Sequence, residues 1–267
     1  MSENPMVDVM KEVATSQVKE IYQDGLKGVT QESGQALQTI VGIFNNVVLY
    51  PFKKANITFK YKLEQFESDL REKVKDIPKE KIIEPPINVV GPAIESLKYT
   101  FDTKELREMY MNLLTSSMNI DKIQFAHPSY VEIIKQLTPL DALVLKKIND
   151  YGDKVRCSRI TFSFANKVFT YAMPRLFAPD LLCIDCSPFL ISASIENLCR
   201  LGIVINYNAK ISGADYSFAQ NHQYVKERFE IFKDNSITQE YYIKFTEEAL
   251  DISDFGENFI RACINEN

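Results

Sequence analysis

The cysteines and histidines are the side chains of this sequence best suited to bind a metal ion or to react. Cys183 and Cys186 form a C-x-x-C pair, and the other cysteines and the histidines His127 and His222 lie far from it in sequence. A structural zinc site needs four ligands, usually from two such pairs or from nearby histidines. A redox role needs a βαβ setting that the sequence does not predict. We therefore predict packing roles for these residues, with no metal site and no cofactor.

Charged residues cluster beside the apolar face of a predicted helix that starts near residue 102. Glu105 completes a capping-box pattern with Asp102, which explains its position. A general base needs a nucleophile and an orienting partner within reach, and the local sequence suggests neither. We predict that Arg107 pairs with Glu84 and so holds a proline-rich segment against this helix. The sequence identifies no catalytic residue and no small-molecule substrate, so we expect a protein that is not an enzyme.

An apolar stripe over residues 36–52 is the strongest candidate for a binding surface. Its members recur at the spacing of one helix face: Leu37, Ile40, Val41, Phe44, Val47 and Val48. Such a stripe normally packs on a neighbouring helix, and the charged segment 56–76 offers an apolar seam for it. It can also lie in a membrane interface, where the basic flank at Lys53 and Lys54 would suit anionic lipid. The stripe is therefore a candidate face for a protein partner or for a membrane.

The remaining pattern predicts a mainly α-helical protein with three regions. Residues 1–80 are predicted to form an N-terminal amphipathic region with a helical hairpin. Residues 81–137 contain the proline-rich segment at 78–92, which we expect to be extended before a helix at about 91–100, and a small helical bundle. Thr138, Pro139 and Asp141 then mark a helix start with a cap and a proline at the first helical position.

Residues 138–267 predict a winged-helix-like α+β module. Helices at 138–152 and 188–201 precede strands at 203–207 and 241–245, with an insertion at about 208–240 that contains a helix at 216–232. Residues 160–184 carry no clear pattern. The helix at 188–201 offers few side chains that read DNA, its outward set being Ser192, Ser194, Glu196, Asn197 and Arg200. A protein-interaction module is favoured over a DNA reader.

Composition sets limits on the class of protein. The chain of 267 residues is 45% hydrophobic and 25% charged, which is typical of globular proteins. A formal net charge of -5 disfavours non-specific nucleic-acid binding. The odd number of cysteines and the polar first residues predict a cytosolic protein with reduced thiols. We expect a cytoplasmic protein, with a peripheral position at the inner membrane as the alternative.

Five blocks of sequence are distinctive as a set. They include the proline-rich run over 77–92 and the motif ELREMYMNLLTSSM over 105–118, followed by the blocks 127–142, 197–202 and 255–263. Together they resemble the Abi-alpha (abortive infection alpha) family of bacteria. The resemblance extends over roughly residues 35–264 and is poor over 155–187 and 208–240.

The resemblance implies a role in phage defence, in which an infected bacterium stops growing or dies before phage release. It supplies no catalytic residues to transfer to this sequence. Three hypotheses follow: a non-enzymatic defence protein that binds a protein partner or itself, a membrane-perturbing effector that uses residues 36–54, and a winged-helix DNA-binding regulator.

Overall fold

The computed structural model describes residues 32–44, 57–164, 167–172, 174, 178, 184–234 and 241–264. These residues are mostly helical and include a small antiparallel sheet. The chain divides into two compact units, one of residues 1–135 with 261–267 and the other of residues 136–260. The predicted boundary between 137 and 138 lies near this division, whereas the one between 80 and 81 lies inside the first unit.

The first unit consists of helices. In chain order they are α1 (Glu32–Phe44), α2 (Ile57–Val74), α3 (Ile87–Thr100), α4 (Lys104–Ser117) and α5 (Ser129–Lys135). The predicted helices over 36–52 and 56–76 are present as α1 and α2, and residues 45–56 lie outside the described part of the chain. Spacing of apolar residues by three and four positions was a sufficient signal for both helices.

Helices α1 and α2 pack through their apolar faces. Leu37, Ile40 and Phe44 are buried on α1. The rings of Phe44 and Phe66 are stacked with centroids 4.0 Å apart. Phe44 also lies 5.9 Å from the ring of Phe101, at the end of α3. The charged residues of α2 therefore lie outside a dry seam that holds the helices together.

Helix α3 begins earlier than predicted. It starts at Ile87 after the N-cap residue Pro86, and Pro92 lies inside it. Pro92 is the sixth residue of the helix and has no amide hydrogen to donate to the carbonyl of Asn88, four positions earlier. The backbone amide of Ile83 donates to the carbonyl of Met118 over 2.9 Å, and that of Ile120 donates to Lys81 over 3.0 Å. These backbone bonds attach the proline-rich segment to the end of α4.

The predicted cap of α4 at Asp102 is wrong. The N-cap residue is Thr103, without a side-chain cap bond. The Asp102 carboxylate instead forms an ion pair with Lys62 on α2 at 2.7 Å. At the other end of α4, the side chains of Asn112 and Ser116 donate to the carbonyls of Cys263 and Ala262, both over 3.0 Å.

The second unit combines a sheet with helices. In chain order it contains α6 (Pro139–Tyr151), β1 (Val155–Phe164), β2 (Lys167–Ala172), α7 (Pro188–Arg200), β3 (Val204–Asn206), α8 (Ser217–Asn221), α9 (Gln223–Asp234), β4 (Tyr241–Ile252) and α10 (Asp254–Cys263). The last residues of α10, from Arg261, belong to the first unit. The sheet order is β2-β1-β4-β3, and the neighbouring strands are antiparallel.

Strand β1 was not predicted, although it forms the longest ladder of the sheet. It pairs with β4 from Val155 opposite Leu250 to Phe164 opposite Tyr241. The pairing joins segments far apart in sequence, so no local turn signal announces it. Helices α8 and α9 cover the aromatic end of this ladder, where Phe162 packs against Phe229 and Phe232. The predicted helix over 216–232 is thus present as two helices.

Gly256 lets the start of α10 approach the chain just before β3. A Cβ atom at this position would lie 2.1 Å from the carbonyl oxygen of Ile203. The Ser253 side chain donates to the carbonyl of Gly202 and accepts from the amide of Gly256. Only glycine fits this contact, so it fixes where β3 lies relative to the helix.

Candidate functional site

A buried hydrogen-bond network joins α6 to α7. Asp141 is only 3% exposed, and its carboxylate accepts from the amide of Thr138 over 2.7 Å. Thr138 in return accepts from the Asp141 amide, which confirms the predicted cap at Thr138 and forms a capping box with Asp141. The same carboxylate accepts from Ser194 and from the Asn197 amide group of α7. One acidic side chain therefore caps one helix and holds another.

This network orients Arg200 at the end of α7. The Asn197 amide oxygen accepts from Nη2 of Arg200 over 2.7 Å, and the Gln136 amide oxygen accepts from Nη1 and Nη2 over 3.1 Å. The Asn197 amide nitrogen donates to the backbone carbonyl of Gln136 over 3.1 Å. Arg200 is solvent-exposed but held by side chains that are themselves fixed.

A second arginine, Arg159, lies on β1. Its Nη2 atom contacts the Glu248 carboxylate at 2.9 Å and donates to Asn208 over 3.1 Å. Glu248 lies on β4, is only 2% exposed, and also accepts from the Asn206 amide group over 2.7 Å. Breaking a buried ion pair of this kind leaves an uncompensated charge. Glu248 therefore holds Arg159 through an ion pair. Asn206 holds the Glu248 carboxylate, and Asn208 holds the Arg159 guanidinium.

The backbone at the end of β3 is shaped to present these asparagines. Asn208 has a φ of 49°, in the left-handed region that asparagine tolerates better than most residues. The Asn206 side chain accepts from the Asn208 amide over 3.0 Å, which makes an Asx turn. The chain thereby turns directly after β3 with both amide groups engaged near Arg159.

The two arginines face one open, polar cleft of about 650 Å³. Its lining comes from α7, β1 and the end of β3: Arg159, Glu196, Asn197, Cys199, Arg200, Asn206 and Asn208. A volume of this order accommodates a small molecule. The Nε atom of Arg159 is buried and has no hydrogen-bond partner within the described residues. One donor of the Arg159 guanidinium is therefore left unsatisfied inside the protein, beside the cleft that this residue lines.

The Cys199 thiol of the cleft is not an activated nucleophile. Burial, with a smaller contribution from the Glu196 carboxylate, raises its pKa to about 11. The thiol stays protonated at neutral pH, whereas nucleophilic cysteines need the thiolate. Burial likewise raises the pKa of Cys157 on β1, with a further contribution from Glu248.

The structure describes Leu37, Ile40, Val41 and Phe44 of the predicted N-terminal face. Leu37, Ile40 and Phe44 are buried in the seam with α2, and Val41 is half-buried. Val47 and Val48 lie outside the described residues. The part of the stripe that is described is thus occupied by packing within the first unit.

Among the described residues, the contacts of Arg107 do not include its predicted partner Glu84. Arg107 lies 3.9 Å from the Asp69 carboxylate, donates to the carbonyl of Phe101 over 3.1 Å, and stacks over the Phe101 ring. Glu84 is exposed. Arg107 therefore ties α2 to the junction of α3 and α4, and the backbone bonds to Met118 and Lys81 hold the proline-rich segment.

The histidines lie at helix starts. Nδ1 of His127 accepts from the amide of Ser129 over 3.1 Å, and Nδ1 of His222 accepts from that of Tyr224 over 3.2 Å. Both bonds satisfy amides that the first turn of a helix leaves free. Cys186 is a free thiol, and Cys183 lies outside the described residues. In the described ranges, no three histidine, cysteine or acidic side chains are grouped so that they could hold a metal ion.

Sequence reasoning identified only the α7 side of the cleft. Glu196, Asn197 and Arg200 were predicted to point outward, which agrees with their place in its lining, but Ser192 and Ser194 are buried. The residues on β1, β3 and β4 were missed. The one available signal was the acidic Glu248 directly before the apolar Ala249 and Leu250, because a charge inside a buried strand needs a partner.

The chain matches the model of a known protein family. Residues 58–263 match the model of the abortive infection alpha family, Abi_alpha. The match covers most of the chain, and the chain belongs to this family. No curated protein and no solved structure matches it.

Proposed function

We propose that the protein is a non-enzymatic phage-defence factor that acts through contacts with a protein partner or with a second copy of itself. The observation that carries the proposal is its membership of the abortive infection alpha family over residues 58–263. The family's name refers to abortive infection, in which the loss of an infected cell limits phage multiplication. The proposal places the protein in the cytoplasm.

The exposed edge of the sheet supports a contact surface in the second unit. Strand β3 is the last strand in the sheet order, next to β4. Ile205 is 40% exposed and Tyr207 is 49% exposed, which is unusual for large apolar side chains next to an open edge. Asn206 and Asn208 alternate with them and line the cleft. A partner at this edge would bury two apolar side chains beside the polar cleft.

A winged-helix-like arrangement of this unit is part of the proposal. Strands β1, β4 and β3 are adjacent, α7 precedes β3, and the insertion with α8 and α9 lies where a wing would connect β3 to β4. A protein-binding role fits this module better than DNA reading. Arg200, the basic side chain at the end of α7, is already bonded to Gln136 and Asn197.

A membrane-perturbing role has less support. Leu37, Ile40 and Phe44 of the N-terminal stripe are buried, and Phe44 stacks on Phe66 of α2, so a membrane contact through these side chains would require the seam to open. No helix in the described part of the chain is long and apolar enough to span a bilayer.

The proposal of a non-enzymatic mechanism rests on the chemistry of the cleft. Its thiol is held in the protonated form. Neither His127 nor His222 is among the residues that line the cleft, and Nδ1 of each accepts from a backbone amide two positions further along the chain. The arrangement provides recognition groups, and it lacks the activated nucleophile with an adjacent base that covalent catalysis uses.

Phage plating on bacteria that express the protein tests the proposed function. We expect wild type to lower the efficiency of plating, and a double variant Ile205→Lys and Tyr207→Lys to lose this protection while remaining folded. Tyr61→Lys is the matched control, since Tyr61 is 65% exposed on α2 in the first unit. If wild type protects against no phage of a broad panel, the defence role is wrong. If the double variant protects as well as wild type, the contact surface lies elsewhere.

Two binding experiments separate the alternatives. A gel shift at physiological salt tests the DNA-binding regulator, and binding no tighter than to random sequence would exclude it. Co-sedimentation with anionic vesicles tests the membrane effector. Wild type in the vesicle pellet, with Phe44→Ser lost from it, would favour a membrane role over partner binding.

A further inference from the structure

We propose that the cleft between α7, β1 and the end of β3 binds a small phosphorylated metabolite that carries hydroxyl groups, such as a sugar phosphate or a mononucleotide. The site goes beyond the defence function proposed above and does not depend on it.

Most of the polar lining is occupied by contacts within the protein. The amide groups of Asn197, Asn206 and Asn208 all take part in hydrogen bonds that hold the two arginines or their carboxylate partners. A ligand therefore meets a surface whose shape is already set. Rigid groups lose little freedom on binding, which favours affinity in a small site.

Free donor capacity remains on the arginines. A guanidinium has five N–H groups. The bonds of Arg159 within the described residues all come from Nη2. Nε also has no partner there but is buried, so Nη1 is the donor that remains available to a ligand. Arg200 uses Nε, Nη1 and Nη2 for Asn197 and Gln136, in four bonds, and retains one N–H.

A phosphate group fits this donor set. Two guanidinium groups that line one cleft present N–H groups to several acceptor oxygens at once, and arginine binds phosphate through such charge-assisted bonds. A carboxylate has only two oxygens to share between them. The Glu248 carboxylate is not a competitor in the cleft, because it is buried and engaged with Nη2 of Arg159 and with Asn206.

The rest of the ligand must supply hydrogen-bond donors. Glu196 lines the same cleft, four residues before Arg200 on α7. A carboxylate accepts hydrogen bonds and repels a phosphate, so it suits the hydroxyl or N–H end of the molecule. A cleft of about 650 Å³ is much larger than an inorganic ion requires. The lining thus favours an organic phosphate with hydroxyl groups over free phosphate.

Isothermal titration calorimetry on the full chain tests this site. The probes are ribose 5-phosphate, adenosine monophosphate, adenosine and inorganic phosphate. We expect saturable binding of at least one organic phosphate that is at least tenfold tighter than binding of adenosine or inorganic phosphate. Binding of both organic phosphates identifies the sugar phosphate as the recognised part, and binding of the nucleotide alone shows that the base is also recognised. Equal binding of adenosine and its monophosphate, binding of inorganic phosphate alone, or no binding of any probe would each overturn the proposal.

Variants assign the binding to the cleft. Arg200→Gln removes one guanidinium and should weaken binding about tenfold or more, the effect of losing a charged hydrogen bond. Arg159→Gln is combined with Glu248→Gln, so that no buried carboxylate is left without a partner. Arg156→Gln is the control, since Arg156 lies on the same strand, donates to the carbonyl of Asp215 and is not part of the lining. Binding that is unchanged in Arg200→Gln and in the double variant would place the ligand elsewhere and overturn the assignment.

Discussion

Two pairs of helices in this protein pack by opposite means. Helices α1 and α2 meet through stacked apolar rings, with Phe44 and Phe66 both fully buried. Helices α6 and α7 meet around a buried carboxylate, that of Asp141, which accepts from both elements. The contact between α1 and α2 is stabilised by any apolar side chain of suitable size and shape. The contact between α6 and α7 is stable only when each hydrogen-bond donor and acceptor is in place.

The difference matches what each pair does. The described contact between α1 and α2 is apolar ring stacking that holds the two helices together. The network of α6 and α7 continues through Asn197 to Arg200 and so reaches the lining of the cleft. Polar packing restricts the positions of a helix more sharply than apolar packing does. A binding site is therefore better placed at the end of the polar network.

Phe44→Ala should have the largest effect on stability. The change removes a buried ring from the seam, and such truncations lower the free energy of unfolding by about 3 to 5 kcal/mol. Urea denaturation followed by far-ultraviolet circular dichroism measures it. Phe44→Leu is the control and should lower the free energy of unfolding by clearly less. A loss below about 1 kcal/mol in Phe44→Ala would show that the seam contributes little to the first unit.

Asp141→Ala should have the next largest effect on stability. It removes the carboxylate half of the capping box and leaves Ser194 and Asn197 with one acceptor fewer, for a loss of about 2 to 3 kcal/mol. Asp141→Asn keeps one oxygen acceptor and should lose less. The free energy of unfolding is measured as before, and ligand titrations show whether Arg200 is still held in place. An Asp141→Ala protein as stable as wild type would contradict the role of the network.

The two pairs also differ in how far the sequence predicts them. Apolar spacing alone predicts α1 and α2, because each helix carries its own signal. The Thr138, Pro139 and Asp141 start of α6 is also local, and its predicted cap at Thr138 and proline at the first helical position are confirmed. The bond from Ser194 to Asp141 is not local, since the two residues are 53 positions apart. Ser194 was therefore predicted to be outward-facing although it is buried.

Alkaline pH distinguishes the two helix pairs, because α7 carries the thiol of Cys199, whereas the described contact between α1 and α2 is between the rings of Phe44 and Phe66. The Cys199 pKa is raised from the ordinary value of 9.0 to about 11, mainly by burial and then by Glu196. The unfolded chain loses this proton first, so the stabilisation is fully present below pH 9 and is lost as the pH rises through 11. Tyr130 of the first unit has a pKa raised to about 12 and contributes further loss at higher pH.

The difference between wild type and Cys199→Ser isolates this effect. We expect the free energy of unfolding of wild type to fall more steeply between pH 9 and pH 11 than that of the variant, because the serine does not ionise in this range. Urea denaturation at half-unit pH steps gives both curves. Parallel curves would mean that the thiol titrates alike in the folded and unfolded chains, contrary to its half-buried position in α7.

The smallest effect is expected at the surface of α2, and it tests whether the apolar seam or the charges stabilise this helix. Arg71 and Glu67 form an exposed ion pair four residues apart, with Nη2 of Arg71 2.6 Å from Oε1 of Glu67. Exposed pairs of this kind contribute about 0.3 to 0.5 kcal/mol, and salt screens them. Glu67→Gln should therefore lower the free energy of unfolding by roughly a tenth of the Phe44→Ala loss at low salt, and by less in 1 M salt.

The double change Glu67→Gln and Arg71→Gln controls for the unpaired arginine. A loss in Glu67→Gln as large as that in Phe44→Ala would mean that the charged face of α2, and not its ring stacking, holds the hairpin.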